Sequence, residues 1–414
     1  MPSYAIVDTN YSHTKHVGMA GSWLRWELER ARATIAAQDV ADVLLCTVSS
    51  QQGVPHLRSA LRRANKRAAV VLGGGACYAP AVFDGLATVA CVGEGAEFVR
   101  TLLSEGIATA MQRPESWVPG ETRRVVPNDV FPWDAPPIMN TDGFVRVFGA
   151  RGCRYKCLFC ETGWESSYRT NPDPERLQRQ IRRLLADGRK VVVVTNDGAE
   201  GRGILAGQQE FLSVRLRNLQ RLMPLTRAQV KGVRIGVEGV LERLRVALGK
   251  PVPDEDLLRV TYDLAAAGIG VRWFFVVGLP CEQAQDYEGL RHLVAELHNL
   301  PKGAVMMNFH AFIPQPAAPL CMFPLRDDYW EPFDEFRRWF FHGPGGTRRV
   351  QIVAPCRYPG RLERACDSMA ATEDELRRGW WDADNANWRV CYQSPPAQMR
   401  EIARVYARKL EATC

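Results

Sequence analysis

The sequence predicts an α/β protein: an open, doubly wound sheet at the N-terminus, a second round of strand and helix alternation, and a small C-terminal extension. Three observations carry this. Short apolar runs bounded by glycine or polar residues recur along the chain. Segments with helical spacing separate them. A proline-rich stretch without periodicity, 113–140, divides one alternation from the next. Runs of this kind read as buried parallel strands, and their alternation with helices reads as a layered α/β architecture.

In the first part, "YAIVD" at Tyr4, "ADVLLCTV" at Ala41 and "AAVVLGGG" at Ala68 are the strands, with "GSWLRWELERARATIAA" and "PHLRSALRRANKR" as helices between them. The pattern βαβα over residues 1–112 is that of a Rossmann-like domain. "GGGACYAP" and "DGLATVACVGEGAEFV" put glycine-rich backbone at the carboxyl ends of strands, where such sheets bind ligands. The glycines do not spell GxGxxG, so a tight structural turn stays open as their role. Residues 113–140 are a linker.

Residues 141–330 hold the second alternation. "GFVRVFGARGC" is a strand running into a cysteine loop, and "DPERLQRQIRRLLADG" a helix with Asp173 as N-cap and Pro174 first in the helix. Leu177, Ile181, Leu184 and Leu185 share one face of it, which leaves Arg176, Arg179, Arg182 and Arg183 in solvent. "KVVVVTND", "VRIGVEG", "VRWFFVVGLP" and "AVMMNFHAFIP" supply further strands, the last with His310 as a hydrogen-bonded core residue. Residues 331–414 are tryptophan-rich, lack α/β rhythm and end in the helix "AQMREIARVYARKLEA".

With 414 residues and 46% hydrophobic content the chain can bury large cores. "MPSYAIVDTN" has no basic n-region followed by an apolar stretch, and no apolar run approaches the roughly 18 residues of a membrane span, so a cytoplasmic protein without membrane contact is expected. Net charge is +7; residues 1–112 hold ten basic against nine acidic side chains, which leaves +6 for the rest. Such an excess attracts polyanions, although the preponderance of arginine over lysine also fits a GC-rich coding sequence.

Twelve cysteines in a reducing compartment point to metal ligands or reactive thiols. Three fall within eight residues of "RGCRYKCLFCETG": Cys153, Cys157 and Cys160. Zinc asks for four ligands, and no fourth Cys or His stands at familiar spacing. A cubane iron-sulfur cluster can be held by three thiolates with its fourth iron open. Cys321, Cys356, Cys366 and Cys391 lack close spacing and read as isolated cysteines.

The spacing CxxxCxxC, with Phe159 before the last cysteine and "VFGARG" ahead of the first, resembles the signature of the radical S-adenosylmethionine (SAM) superfamily. "GVEGV" with "ALGKP", "VRWFFVVGLPCE" and "FIPQPAAPL" resemble its later strands. The resemblance implies a partial (β/α)6 TIM-type barrel, a 4Fe-4S cluster on Cys153, Cys157 and Cys160, bound SAM, and an electron donor such as flavodoxin or ferredoxin. It places Asn196 and Asp197 toward the methionyl end of SAM, Glu238 at its ribose or amino group, and Gly278, Leu279 and Pro280 against adenine. Cys281 stands where a small residue is usual, as a thiol near the substrate or a tolerated small side chain. The N-terminal sheet resembles the cobalamin-binding branch, with "GGGACYAP" and "VGEGAEF" carrying the likeness. The lower-ligand motif DxHxxG is absent, since Asp8, His13 and His16 have other spacings, so cobalamin stays an open expectation.

Two enzymatic functions follow. The first, on the basic excess and on Trp380, Trp381 and Trp388 as base-stacking candidates, is radical modification or rearrangement of a large anionic substrate, DNA or RNA, of the phage thymidine-hypermodification kind. The alternative is a cobalamin-dependent methyltransferase acting on a natural product or peptide. A cluster-bearing regulator without turnover is a third class.

Overall fold

The computed structural model describes residues 2–9, 19–49, 53–78, 80–121, 125–139, 143–165, 167–195, 209–301, 303–312, 318–323, 330–353 and 396–411. Asn196, Asp197, His13, His16, Cys356, Cys366, Cys391, Trp380, Trp381 and Trp388 lie outside them.

The first sheet uses β1 (Ser3–Asp8), β2 (Thr34–Ile35), β3 (Val43–Thr47), β4 (Ala69–Gly73), β5 (Val89–Cys91) and β6 (Ser116–Trp117), in the order β2-β1-β3-β4-β5-β6. All pairs are parallel except β5 with β6. The helices are α1 (Met19–Arg30), α2 (Val54–Arg63), α3 (Ala96–Glu105) and α4 (Ile107–Met111). Every residue of β3 is buried, because alternate side chains enter different cores: Leu44 and Cys46 pack with Leu57 of α2, Val43 and Leu45 with Leu24 and Leu28 of α1 and Phe98 of α3. A strand covered on both faces reads as a continuous apolar run, which is what "ADVLLCTV" is. The order 2-1-3-4-5 is the flavodoxin-like doubly wound one, whose ligand crevice lies at the carboxyl ends of the strands. β6 and the bridge Gly93↔Asn128 come from the stretch read as linker.

The second part begins with β7 (Ile138–Met139), β8 (Phe144–Phe148), the hairpin β9 (Ala150–Arg151) and β10 (Arg169–Thr170) around helix α5 (Thr162–Glu165), then α6 (Pro174–Ala186) and β11 (Lys190–Val194). β11 and β8 are parallel, with β7 an antiparallel edge. The Asp173 side chain accepts from Arg176 N at 2.8 Å and caps α6. Leu177 and Ile181 are buried with Leu184 and Leu185 against Val147 and Val191, and the four helix arginines are exposed.

The barrel continues with β12 (Gln209–Val214), α7 (Leu216–Leu222), β13 (Val230–Glu238), α8 (Glu242–Ala247), α9 (Asp254–Ala266), β14 (Gly270–Val277), α10 (Asp286–Glu296), β15 (Val305–Ala311), α11 (Trp330–His342), β16 (Val350–Val353) and α12 (Pro396–Glu411). β12-β13-β14-β15-β16 form one parallel sheet. β13, β14 and β15 alternate: Val233, Ile235, Trp273, Phe275, Met307 and Phe309 enter the large core under the helices, while Arg234, Glu238, Arg272, Phe274, Met306 and His310 take the opposite, less buried face. One face packed and one open is the signature of a sheet curved around a site. The sequence runs placed β8, β11, β13, β14 and β15; β12 and β16 had not been expected, and β16 falls within the segment read as extension. His310 is corrected by its place. It is exposed on the open face and stacks on Phe274, centroids 5.9 Å apart and planes 6° from parallel.

Candidate functional site

The cysteine loop springs from β9, turns at Gly152 with φ 69°, and reaches Cys153, half-buried, Cys157, 7% exposed, and Cys160, half-buried. Local bonds curl it. Cys160 N donates to the Cys157 carbonyl at 3.2 Å, the Trp164 indole N–H donates to the same carbonyl at 3.0 Å, and Lys156 Nζ donates to the Gly163 carbonyl. The barrel holds the loop from outside, with Leu158 N donating to Leu248 O at 3.1 Å and Leu320 N to Leu158 O at 3.0 Å. A Cβ on Gly163 would run into the Tyr155 carbonyl oxygen. Gly163→Ala is therefore expected to open the loop and lower iron uptake after anaerobic reconstitution; backbone cannot yield as a flexible side chain does, and a stability loss of about 1 to 3 kcal/mol is the usual cost of such overpacking. An iron assay and a melting curve check it.

These thiols suit an iron-sulfur cluster rather than a lone ion. Among the described residues no three Cys, His, Asp or Glu side chains converge on a single metal ion, and a cubane asks for none, since each thiolate binds a different iron. Burial pushes the Cys160 thiol up to about 11, opposed by its bonds to Thr162. Arg215, between β12 and α7, donates to Cys157 Sγ at 3.1 Å.

Glu238 ends β13 at a bulge, with left-handed backbone (φ 74°). Its carboxylate is ion-paired to Lys250 Nζ, both side chains 12% exposed. The segment from Leu248 to Lys250 thus touches both the cysteine loop and Glu238. Lys250 was missed by the sequence reading; its only signal was its place in "ALGKP".

The turn after β14 is built from buried charge. Gly278 N and Leu279 N donate to the two oxygens of Glu282 at 3.0 and 3.4 Å, and the Tyr287 hydroxyl donates to Glu282 Oε1 at 2.8 Å. The Tyr406 hydroxyl of α12 donates to the Pro280 carbonyl at 2.9 Å, and burial pushes its phenol well up. Cys281 has left-handed backbone (φ 63°) and packs against the large core, its carbonyl accepting from Arg243 Nη2 at 3.3 Å. Gly278, Leu279 and Pro280 are therefore held rigidly at the strand end, with these backbone groups engaged inside the turn.

A second element lies between the two sheets. A cavity of about 190 Å³ opens at the carboxyl ends of β3, β4 and β5, between α1 and α3, and is closed on the far side by Phe148 and Arg151 at the start of the barrel. It is mostly apolar, yet the buried indole N–H of Trp23 in its wall has no hydrogen-bond partner. Gly73 also lines it, and a Cβ there would meet only open space. At its mouth Glu94, 7% exposed, accepts from Arg151 Nε at 2.6 Å, with Arg169 Nη2 3.5 Å away. Arg151 stands two residues before Cys153, so the cavity and the cysteine loop share a wall.

No protein-family model matches the chain, and no curated sequence matches it. Solved structures do. TsrM from Kitasatospora setae, a radical SAM methyltransferase solved with cobalamin and a 4Fe-4S cluster bound, aligns at TM-score 0.55 and 16% identity over 99% of this chain and 99% of that one. TsrM with tryptophan substrate and the SAM analogue aza-SAM aligns at TM-score 0.57 and 15% identity over 100% and 89%. OxsB, a cobalamin-dependent SAM radical enzyme solved with aqua-cobalamin, aligns at TM-score 0.53 and 15% identity over 73% of this chain and 53% of that one. The fold is that of the cobalamin-dependent radical SAM enzymes.

In the barrel of this chain, the loop with Cys153, Cys157 and Cys160 follows the first strands, and Glu238 and the Gly278–Cys281 turn close the ends of two later ones. Asn196 and Asp197 fall outside the described residues. Near the site Arg151, Arg215, Arg243 and Arg245 are engaged internally, with Glu94, Cys157, Asp286 and Asp254. Among the described residues no helix is long and apolar enough to cross a membrane.

Proposed function

We propose that this chain is a cobalamin-dependent radical SAM methyltransferase acting on a small substrate with a flat ring, of natural-product or peptide origin, in the cytoplasm. The observation that carries it is the cavity at the carboxyl edge of the first sheet, which shares Arg151 with the cysteine loop. A corrinoid seated there would lie beside the cluster. The residues fit part of such a group: about 190 Å³ of mostly apolar space with an unmatched Trp23 donor and the bare backbone of Gly73 would take a buried arm of the corrinoid, with the macrocycle at the mouth beside Arg151.

In this reading residues 1–112, with β6 from the connecting stretch 113–140, carry the corrinoid, and 141–330, completed by β16, form the radical SAM core. When bound, the cluster supplies an electron drawn from a donor such as flavodoxin or ferredoxin, SAM a methyl group, and the corrinoid its carrier. Cys153, Cys157 and Cys160 hold the cluster. Glu238, oriented by Lys250, accepts hydrogen bonds from the ribose or amino group of SAM; Asn196 and Asp197 serve the methionyl end. The turn Gly278, Leu279, Pro280 offers adenine a stiff edge, and Cys281 acts as a small side chain beside it. Phe274 and His310 give the open face a flat wall against which a planar substrate would stack. The tryptophan held by TsrM has such a ring. Nucleic acid is the weaker reading, since the base-stacking candidates Trp380, Trp381 and Trp388 lie outside the described residues and the substrate bound by TsrM, of the same fold, is the small molecule tryptophan.

Glu238→Ala combined with Lys250→Met, which leaves no lone buried charge, is expected to weaken SAM binding roughly ten- to a hundredfold, the effect of about 1.5 to 3 kcal/mol for a charged hydrogen bond. Calorimetry at full iron content checks it, and an unchanged dissociation constant removes Glu238 from the SAM site.

The function is tested by anaerobic reconstitution with iron, sulfide and hydroxocobalamin. Stoichiometric corrinoid uptake and transfer of a labelled methyl group from SAM to an indole-bearing acceptor are expected. Cluster-dependent formation of 5'-deoxyadenosine by a protein that retains no corrinoid would overturn the proposal.

A further inference from the structure

Arg215 carries an inference that rests on the cluster reading and goes beyond it. It stands at the junction of β12 and α7, where its extended backbone (φ −73°, ψ 144°) aims the side chain across the cysteine loop. Three contacts hold the guanidinium. Nη1 donates to Cys157 Sγ at 3.1 Å, Nη2 donates to the Gly249 carbonyl at 3.3 Å, and the plane lies 3.8 Å over the ring of Tyr155. Tyr155 is itself held, since its hydroxyl accepts from Asn218 Nδ2 at 2.7 Å, and Asn218 is 8% exposed on the first turn of α7. Arg215 and Asn218, three residues apart at the start of α7, thus clamp Tyr155 of the cysteine loop by its ring and its hydroxyl.

A surface ion pair would have little meaning here, but this geometry is different. The acceptor is the sulfur of the most buried of the three cysteines, so although Arg215 itself is half-buried, its charge is screened less at that sulfur than on an open surface. Hydrogen bonds to ligating sulfur and local net charge are among the main determinants of an iron-sulfur potential. Reduction adds one electron to a cluster that three thiolates already make anionic, and a fixed cation next to one of them favours the reduced form. A stacked guanidinium held at three points also stays in place through the redox change, which a lysine on a flexible stem would not. We propose that Arg215 is a positioning residue that raises the reduction potential of the cluster through Cys157, and so makes it accessible to a biological electron donor.

The test uses full-length protein reconstituted anaerobically, in wild-type form and as Arg215→Gln, Arg215→Met and Arg215→Lys. Gln and Met both remove the charge from a half-exposed position, and either one that folds suffices. Iron and sulfide content is measured first, then the one-electron midpoint by dithionite titration followed by electron paramagnetic resonance. The neutral variants are expected to keep the cluster and to reduce at least ten-fold less favourably, a drop of about 59 mV for a one-electron couple, with Arg215→Lys recovering part of it. A merely structural role would change iron content or melting without moving the midpoint of loaded protein. Neutral variants with full iron and the wild-type midpoint would overturn the proposal. Wild-type protein that takes up no iron would instead sink the cluster reading on which it rests.

Discussion

Replacing Cys153, Cys157 or Cys160 with Ala is expected to abolish the cluster and with it all reductive cleavage of SAM. Each substitution leaves two thiolates, too few for the site-differentiated cubane that three can hold. The loop itself holds no fourth cysteine that could take the place of a lost one. Iron and sulfide assays with the visible charge-transfer band measure the first effect, and chromatography of 5'-deoxyadenosine the second. A triple variant that retained four irons and still made 5'-deoxyadenosine would falsify the assignment.

Gly73→Leu should have the second largest effect, on the corrinoid alone. Gly73 ends β4 on the same face as Val71, both lining the cavity, and the space a side chain would enter is empty of protein atoms. Its φ is not in the left-handed region, so an L residue fits the backbone and the apo protein should fold with a normal melting curve. The isobutyl group would then occupy room the buried arm of the corrinoid needs. Overpacking of this kind costs about 1 to 3 kcal/mol, or roughly ten- to a hundredfold in corrinoid affinity. Absorbance titration with hydroxocobalamin reads it, with iron content as the control. Wild-type corrinoid affinity in this variant would show that the cavity is not the site, while the cluster assignment would stand.

Much of the candidate site was legible because its signals are local. CxxxCxxC is a spacing, and three thiols on one loop need no knowledge of the rest of the chain. Asp173 and Pro174 announce α6 because a capping carboxylate and a preset φ act within one turn. Other parts were not legible. Lys250 stands twelve residues from Glu238, yet nothing in "ALGKP" says that the ammonium turns back onto the strand. His310 was read as core because its strand is apolar, and whether an alternating position faces packed helices or an open concave face depends on how the sheet curves.

By itself the sequence determined the strand runs of both sheets' centres and the spacing of the three candidate cluster cysteines, since periodicity, capping and short spacings are written in residues adjacent along the chain. Tertiary structure alone decided what surrounds them. Arg215 reaches Cys157 across 58 positions, and Arg151 reaches Glu94 across 57; the cavity needs α1, three strand ends and the first barrel strand together. Contacts of that kind arise from the stacking of one sheet against another. That stacking follows from burying whole faces rather than from the propensity of any one segment, which is why the chemistry of the loop could be read early and its electrostatic setting only from the fold.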